Sequence, residues 1–254
     1  MLRLILCSLI CFSSIATAAE APLVAVASNL TQAMTEIADH FQATSGIKVK
    51  LSFGSSGNFT RQILQGAHYQ LFLAADKKSV DLLRDHGQQL FRNAEFARGR
   101  IGFFIPVDSH LSGTTDLQSI VQAIEFEDYR RLVIANPEVA PYGLAAVQAL
   151  TSAGIWIIDR KKLLLGENAA QAVQFSLSGS VDIGIIPAAA AREPKVIQHG
   201  RFFPIPESWH QPIQQYLLLL SDTNPAGARF YNYLLNSESQ GILIKFGYTP
   251  NVRE

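Results

Sequence analysis

Hydrophobic and polar positions follow two alternating periods along this chain, and the alternation predicts strands that are each followed by a helix. The run Leu23–Ala27 is short and continuously apolar, as in a strand buried within a parallel sheet. Beyond it, apolar residues recur at helical spacing up to Gly46, at Leu30, Met34, Ile37 and Phe41. The same succession repeats downstream and favours an α/β fold.

The two periods predict the remaining elements as well. Short apolar or alternating runs predict strands at 47–53, 71–74, 100–105, 132–135, 182–186 and 216–220. Helical spacing with capping residues or terminal glycines predicts helices at 58–65, 76–86 and 141–154, and from Asn168 and Pro225 onward. In the helix at 141–154, the spacing assigns Leu144, Val147 and Leu150 to the core.

The order of the elements predicts two lobes, because the strand at 100–105 leads out of the first lobe and the strand at 216–220 returns to it. Two crossings form a hinge, which suits closure around a ligand. We therefore predict three segments: a secretory signal at 1–19, a first lobe from 20–99 and 214–254, and a second lobe from 100–213.

Residues 1–19 carry the features of a secretory signal. Arg3 supplies positive charge, and residues 4–15 form an apolar stretch of suitable length. The small residues up to Ala18 match a cleavage motif, so the mature chain is predicted to begin at Ala19. These features predict a soluble protein exported to the periplasm.

Composition narrows the class of protein. Charged residues make up 17% of the chain and the net charge is zero, which argues against nucleic acid or an anionic membrane surface as partner. Both cysteines, Cys7 and Cys11, lie in the predicted signal, so we expect neither a disulfide framework nor a cysteine-bound metal. The six histidines lack the spacing of zinc sites.

Four short segments end in small, mostly neutral residues where a helix is predicted to begin, and no Lys or Arg lies at the junction. Helix N-termini offer unpaired N–H groups and partial positive charge, so several of them together can bind an anion without a cationic side chain. Two segments fall in the first predicted lobe and two in the second, which predicts a small oxyanion held between the lobes. The segments are 24–29, 51–57, 136–143 and 165–169.

Each candidate residue in these segments has a plain structural alternative. Ser28 and Ser56 could donate hydroxyl hydrogen bonds to an anion or could cap helices. Asn29 could supply an amide donor or a cap, and Tyr142 could be an ordinary core or surface tyrosine. Ala169 could contribute only its backbone N–H.

At the same segments the chain resembles the periplasmic molybdate-binding proteins of ABC importers, over nearly the whole predicted mature chain. The residues that carry the resemblance include 26–30, 53–57, 61–63, 71–76, 135–137, 141–143, 165–168, 174–175, 178–179, 212–213 and 246–248. The resemblance implies a periplasmic-binding-protein fold, type II-like, in which hinge-linked lobes enclose a ligand cleft.

The resemblance also implies the ligand contacts. These fall on the hydroxyl and N–H groups of Ser28 and Ser56, on backbone N–H groups of Tyr142 and Ala169, and on Asn29. Molybdenum would be contacted only through the oxygens of the anion, and no cofactor is implied. The implied partner is a membrane ABC permease, and we expect a monomer that does not bind nucleic acid.

Two residues depart from the family pattern. Pro187 stands where some relatives carry a tyrosine that contacts the ligand, and it offers neither a side-chain donor nor an N–H. Gln70 stands where relatives usually carry an aspartate, which bears on local packing.

These observations predict a non-enzymatic receptor for molybdate, and for tungstate because the two anions are nearly equal in size. A sulfate or other oxyanion receptor is the alternative within the same class. An exported serine hydrolase using Ser28 or Ser56 is the alternative from another class, although 54–57 contains neither a nucleophile elbow nor a phosphate-binding loop.

Overall fold

The computed structural model describes residues 21–156 and 159–251, so the predicted secretory signal at 1–19 lies outside the described residues. The strands are β1 (Leu23–Ala27), β2 (Lys50–Gly54), β3 (Leu71–Ala74), β4 (Arg92–Gly99), β5 (Ile101–Pro106), β6 (Leu132–Ala135), β7 (Leu163–Gly166), β8 (Ile183–Pro187), β9 (Gly200–Pro204), β10 (Ile213–Leu219) and β11 (Thr249–Pro250). The helices are α1 (Thr31–Ser45), α2 (Ser56–Leu64), α3 (Lys77–Asp85), α4 (Leu117–Glu125), α5 (Pro141–Ser152), α6 (Ala169–Ser176), α7 (Pro194–Ile197), α8 (Pro225–Leu234) and α9 (Ser237–Lys245).

The strands of the described residues form two mixed sheets, ordered β11-β4-β10-β3-β1-β2 and β7-β6-β8-β5-β9. In the first sheet β1 pairs in parallel with β2 and β3, and β10 runs antiparallel between β3 and β4. In the second sheet β6 pairs in parallel with β7 and β8, while β5 runs antiparallel to β8 and β9. The predicted two-lobed α/β fold is confirmed.

The chain passes from the first sheet to the second directly after β4 and returns at β10. Ile213, the first residue of β10, already pairs with Gly99 of β4. We propose that the lobe boundaries lie between residues 99 and 100 and between residues 213 and 214. Among the described residues, no helix is both long and apolar enough to span a bilayer.

The helix predicted after β1 is confirmed in its core face and in its end. Its four predicted core residues, Leu30, Met34, Ile37 and Phe41, are all buried. Gly46 ends α1 with φ of 72°, a left-handed conformation that a residue without Cβ adopts at little cost.

Several details of the predicted elements are wrong, among them the return strand, which is Ile213–Leu219 rather than 216–220. The second strand begins at Lys50 rather than at residue 47. Helix α2 begins at Ser56 rather than Asn58, because the Ser55 side chain accepts from the N–H of Asn58 and caps the helix. In α5, the predicted core residue Leu150 is buried but Leu144 is 45% exposed, and the rest of the buried face is Tyr142 with the small residues Gly143, Ala145, Ala146 and Ala149.

The departure from the family pattern at Gln70 has a local structural role. Its side-chain carbonyl accepts from the N–H of Leu23, and the main chains of the same two residues are bonded at 2.9 Å. Gln70 therefore joins the starts of β3 and β1 without a charged group.

Asp182 anchors the start of β8 from a fully buried position. Its carboxylate accepts from the N–H and the guanidinium of Arg130, with the Nη2–Oδ1 distance at 2.7 Å. Burial raises the pKa of the Asp182 carboxyl, but hydrogen bonds and the charge of Arg130 lower it by more, so the net pKa lies below its usual range.

Asp182→Asn should lower the free energy of unfolding by about 1 kcal/mol at pH 7, since an amide keeps only part of this bonding and the exposed guanidinium regains water. Because the folded-state pKa is lowered, the charged carboxylate stabilises the fold above the unfolded pKa of about 3.9, and that contribution is lost as pH falls below it. Urea unfolding should therefore show the difference at pH 7 and a smaller one at pH 3. Asp39→Asn, at an exposed position, is the control, and an equal loss there would contradict the prediction.

Candidate functional site

The predicted binding residues lie where helices begin after the carboxyl ends of parallel strands. Ser28 follows β1 and Ser56 begins α2, both in the first lobe. Tyr142 lies in the first turn of α5 and Ala169 begins α6, both in the second lobe. Ligands of open α/β sheets bind outside these strand ends, so the topology turns both sets toward one cleft.

Ser28 bridges the cleft rather than capping α1. The N-cap position of α1 is Leu30, which makes no side-chain capping bond. The Ser28 hydroxyl oxygen accepts from the N–H of Ala170 in the second lobe at 3.3 Å. That hydrogen bond uses one of the two lone pairs of the hydroxyl oxygen and leaves its hydrogen available to a ligand.

Ser56 has the same arrangement within the first lobe. Its side chain is fully buried at the first position of α2, and its hydroxyl oxygen accepts from the N–H of Ala75 at 2.9 Å. Ser55, not Ser56, caps the helix. One lone pair of the Ser56 hydroxyl oxygen is therefore used as well, and its hydrogen remains for donation.

Three helix starts each leave one backbone N–H without a protein acceptor. In α2, Gly57 and Asn58 donate to Val139 O and Ser55 Oγ, and in α6 the two residues after Ala169 donate to Ser28 Oγ and Asn168 Oδ1. In α5, Gly143 and Leu144 both donate to Ala140 O. Within the described part of the chain, no hydrogen bond is made by the N–H groups of Ser56, Tyr142 or Ala169.

Asn29 lies at the centre of a buried polar network instead of capping a helix. Its side-chain nitrogen is 3.2 Å from the hydroxyl of Tyr142, 2.9 Å from Gln215 Oε1 and 3.1 Å from the hydroxyl of Tyr248. Burial raises the pKa of both tyrosines well above the usual range, so both hydroxyls are neutral at pH 7. The Asn29 amide is thus engaged within the protein.

Further hydrogen bonds close the cleft from both sides. The N–H of Gly57 donates to Val139 O at 2.9 Å, and Asn58 Nδ2 donates to Glu167 Oε1 at 3.0 Å. On the other side, Gln32 Nε2 donates to Glu193 Oε2 at 3.1 Å. The structure therefore holds the two lobes in contact.

A cavity of about 220 Å³ opens beside these contacts. Ser28, Asn29 and Ala169 line it, whereas Ser56 and Tyr142 do not. Pro187, at the end of β8, forms part of the wall, as a residue without a donor. The cavity also reaches Lys195, whose ammonium is largely exposed and lies 3.1 Å from the Glu193 carboxylate, with which it forms an ion pair.

The hydrogen-bond partners of the two serines bear on what the site can do chemically. Nucleophilic catalysis by serine needs an adjacent base, and within the described residues no histidine is hydrogen-bonded to Ser28 or Ser56. The same residues contain no group of three side chains that could hold a metal ion. What the helix starts offer is a set of neutral donors.

Sequence reasoning missed the residues that surround Tyr142. Gln215 and Gly99 carry no local signal, because a buried glutamine and a strand-end glycine are recognised only through partners distant in the chain. Tyr248 lies in one of the segments that carry the family resemblance, but nothing in the sequence links it to Asn29, 219 residues away.

Comparison with known proteins gives one consistent result. The profile of bacterial extracellular solute-binding proteins matches residues 22–249. A molybdate-binding protein of Azotobacter vinelandii is 33% identical over 228 residues, which cover 89% of this chain and 88% of that protein. The solved structure of a periplasmic molybdate-binding protein of Azotobacter vinelandii matches with a TM-score of 0.81 at 25% identity, covering 92% of this chain and 100% of that one.

A sulfate-binding protein of Mycobacterium tuberculosis has a similar fold. Its solved structure matches with a TM-score of 0.70 at 15% identity, over 90% of this chain and 86% of that one. At this identity the likeness concerns the fold alone.

Proposed function

The chain belongs to the bacterial extracellular solute-binding proteins, and we propose that it captures molybdate in the periplasm and delivers it to a membrane ABC permease. The observation that carries the proposal is the pair of serine hydroxyls, each of which accepts one backbone N–H and keeps its own hydrogen for donation. Together with the free N–H groups of Tyr142 and Ala169, they form a donor set contributed by both lobes. The protein acts in this account as a monomeric receptor and not as an enzyme.

A neutral donor set suits a transported dianion. An anion that enters a dry cleft loses its hydration, and aligned N–H and O–H groups replace those hydrogen bonds. Helix N-termini add partial positive charge without a full counter-charge. The receptor can therefore hold the anion and still release it to the permease.

The same donor set predicts selectivity among oxyanions. Monoprotonated phosphate carries an O–H that needs an acceptor, and hydroxyls that already face the anion as donors do not supply one. Sulfate carries the same charge as molybdate and is smaller, so only the size of the closed site can exclude it. Tungstate, nearly equal in size to molybdate, is expected to bind as well.

Closure of the lobes is part of the proposal, since neither lobe alone surrounds a tetrahedral anion. The hydrogen bonds that join the lobes at Gly57, Asn58 and Gln32 support a closed form of the protein. Ligand would favour this form over an open one through its better contacts there.

Calorimetric titration of the purified mature protein tests the ligand class. Molybdate and tungstate should each bind with one site per chain, whereas phosphate should bind roughly 5- to 150-fold more weakly because its O–H lacks an acceptor. Sulfate is the control for charge and should also bind more weakly. Sulfate binding as tight as molybdate binding would instead favour the sulfate receptor, and turnover of an ester substrate would favour the hydrolase.

A further inference from the structure

A buried polar contact joins the two lobes at the point where the chain crosses between them. The hydroxyl of Tyr142, in the second lobe, lies 3.2 Å from Asn29 Nδ2 in the first lobe, and 113 residues separate the two in sequence. Gln215 is fully buried, and Tyr142 and Tyr248 are nearly so. In such surroundings a buried polar group without a hydrogen bond is costly, so this contact stabilises the closed form.

The first-lobe side of this contact is held together independently of Tyr142. Gln215 Nε2 donates to Ile213 O at 3.1 Å, which fixes the amide so that its Oε1 accepts from Asn29 at 2.9 Å. The hydroxyl of Tyr248 donates to Asn29 O at 2.7 Å and lies 3.1 Å from Asn29 Nδ2. Asn29, Gln215 and Tyr248 all belong to the first lobe, and Ile213 at its boundary pairs with Gly99 of β4, so none of these bonds depends on Tyr142.

Gly99 completes the site by leaving room. A Cβ built at this position would lie 1.9 Å from the Tyr142 hydroxyl and 2.9 Å from its ring carbon Cζ. The φ of Gly99 is outside the left-handed region, so its backbone accepts alanine. Space for the tyrosine is therefore what requires glycine here, at the last residue of β4 before the crossing.

We propose that Asn29, Gly99, Gln215 and Tyr248 form a preformed hydroxyl socket, into which the Tyr142 hydroxyl docks when the lobes close. The proposal rests on the proposed function, in which the backbone N–H of Tyr142 donates to the oxyanion. Docking of the side chain then places that N–H, so Gln215 and Tyr248 are positioning residues that never touch the ligand. Neither the sequence pattern nor the proposed ligand contacts would identify Gln215 and Tyr248 as residues that position Tyr142.

A double-mutant cycle on Gly99 and Tyr142 tests the socket. Tyr142→Phe keeps the backbone N–H but removes the hydroxyl, and should weaken molybdate binding by about 2- to 10-fold. Gly99→Ala places a methyl group in the socket and should weaken binding by about 5- to 150-fold. In the Gly99→Ala background, Tyr142→Phe should strengthen binding, because it removes the atom that meets the methyl group most closely.

The reversal of sign is the result that a merely structural role would not give. If the two losses in binding free energy add, so that Tyr142→Phe weakens binding equally in both backgrounds, the socket is rejected. Tyr233→Phe removes another buried hydroxyl, one that belongs to α8 and is outside the socket, and it should leave affinity unchanged. Thermal unfolding without ligand should show that Gly99→Ala remains folded, since the open form does not bring Tyr142 to Gly99.

Distances across the cleft separate a failed socket from a failed ligand assignment. Spin labels on cysteines introduced at the exposed positions Gln65 and Thr151 report lobe separation at the far ends of α2 and α5. With molybdate, the short-distance population should be largest in the wild type, reduced in Gly99→Ala and partly restored in the double variant. If the wild type binds no molybdate, the ligand assignment is wrong. The socket would still be supported if the short-distance populations of the three proteins, measured without ligand, followed the same order. Equal populations in all three proteins would overturn it.

Discussion

Replacing Ser56 with alanine should weaken molybdate binding by about 10- to 150-fold, which corresponds to the 1.5–3 kcal/mol of a hydrogen bond to a charged group. The Ser56 hydroxyl is fully buried and its oxygen already accepts from Ala75 N, so its hydrogen has the ligand as its natural acceptor. Ser28→Ala should have an effect of the same size, because the Ser28 hydroxyl is held in the same way by Ala170 N. Calorimetric titration of each variant measures the loss.

Ser55→Ala is the matched control for these variants. Ser55 is the neighbour of Ser56 and caps α2 through its own hydroxyl. Its replacement should cost about 0.5–2 kcal/mol of stability and leave the affinity for molybdate nearly unchanged. If instead Ser28→Ala and Ser56→Ala bind normally while all three variants lose stability, the serines serve the fold and the anion binds elsewhere.

Molybdate should also protect the protein against heat. At a concentration about 100 times its dissociation constant, a ligand that binds only the folded state stabilises it by about 2.7 kcal/mol. For a chain of this length the melting temperature should rise by roughly 5–10 °C. Differential scanning calorimetry or fluorimetry measures the shift.

The specificity of this protection follows from the donor set. Sulfate and phosphate at the same concentration should raise the melting temperature little, and Ser56→Ala should show a smaller rise with molybdate than the wild type. A sulfate shift equal to the molybdate shift would be inconsistent with a molybdate receptor.

The fold was predictable from sequence wherever large apolar residues mark one face. Helix α1 was found because four large residues recur at helical spacing before Gly46. In α5 the same reasoning succeeded only in part, because the helix packs through Ala145, Ala146 and Ala149 while Leu144 faces outward. Small residues allow close packing but give a weak hydrophobic signal, so spacing placed Leu150 and the partly buried Val147 in the core correctly but missed the alanines and misplaced Leu144.

Strands with mixed composition were missed for a related reason. β4 carries arginines, asparagine and glutamate beside three buried residues, Phe96, Ala97 and Gly99, so its pattern does not resemble a core strand. Its pairing with β10 and β11, which lie far away in sequence, gives it its place in the sheet. Such tertiary pairing overrides local preference.

The residues of the candidate site also fall into two groups, those that the sequence could identify and those that it could not. Ser28 and Ser56 could be nominated from sequence because hydroxyl residues follow predicted strands where helices begin, and Tyr142 and Ala169 were implied by family resemblance. The socket around Tyr142 could not be nominated, since Gly99 and Gln215 become meaningful only when the two lobes are in contact.

Anomalous diffraction can show whether one oxyanion is bound by neutral donors from both lobes. Crystals of the mature protein with molybdate, measured at the molybdenum absorption edge, locate the metal atom without assumptions about the site. One peak per chain is expected, with anion oxygens about 2.7–3.1 Å from the hydroxyls of Ser28 and Ser56 and from the N–H groups of Tyr142 and Ala169. A peak elsewhere, or an anion held by a Lys or Arg side chain, would contradict this expectation.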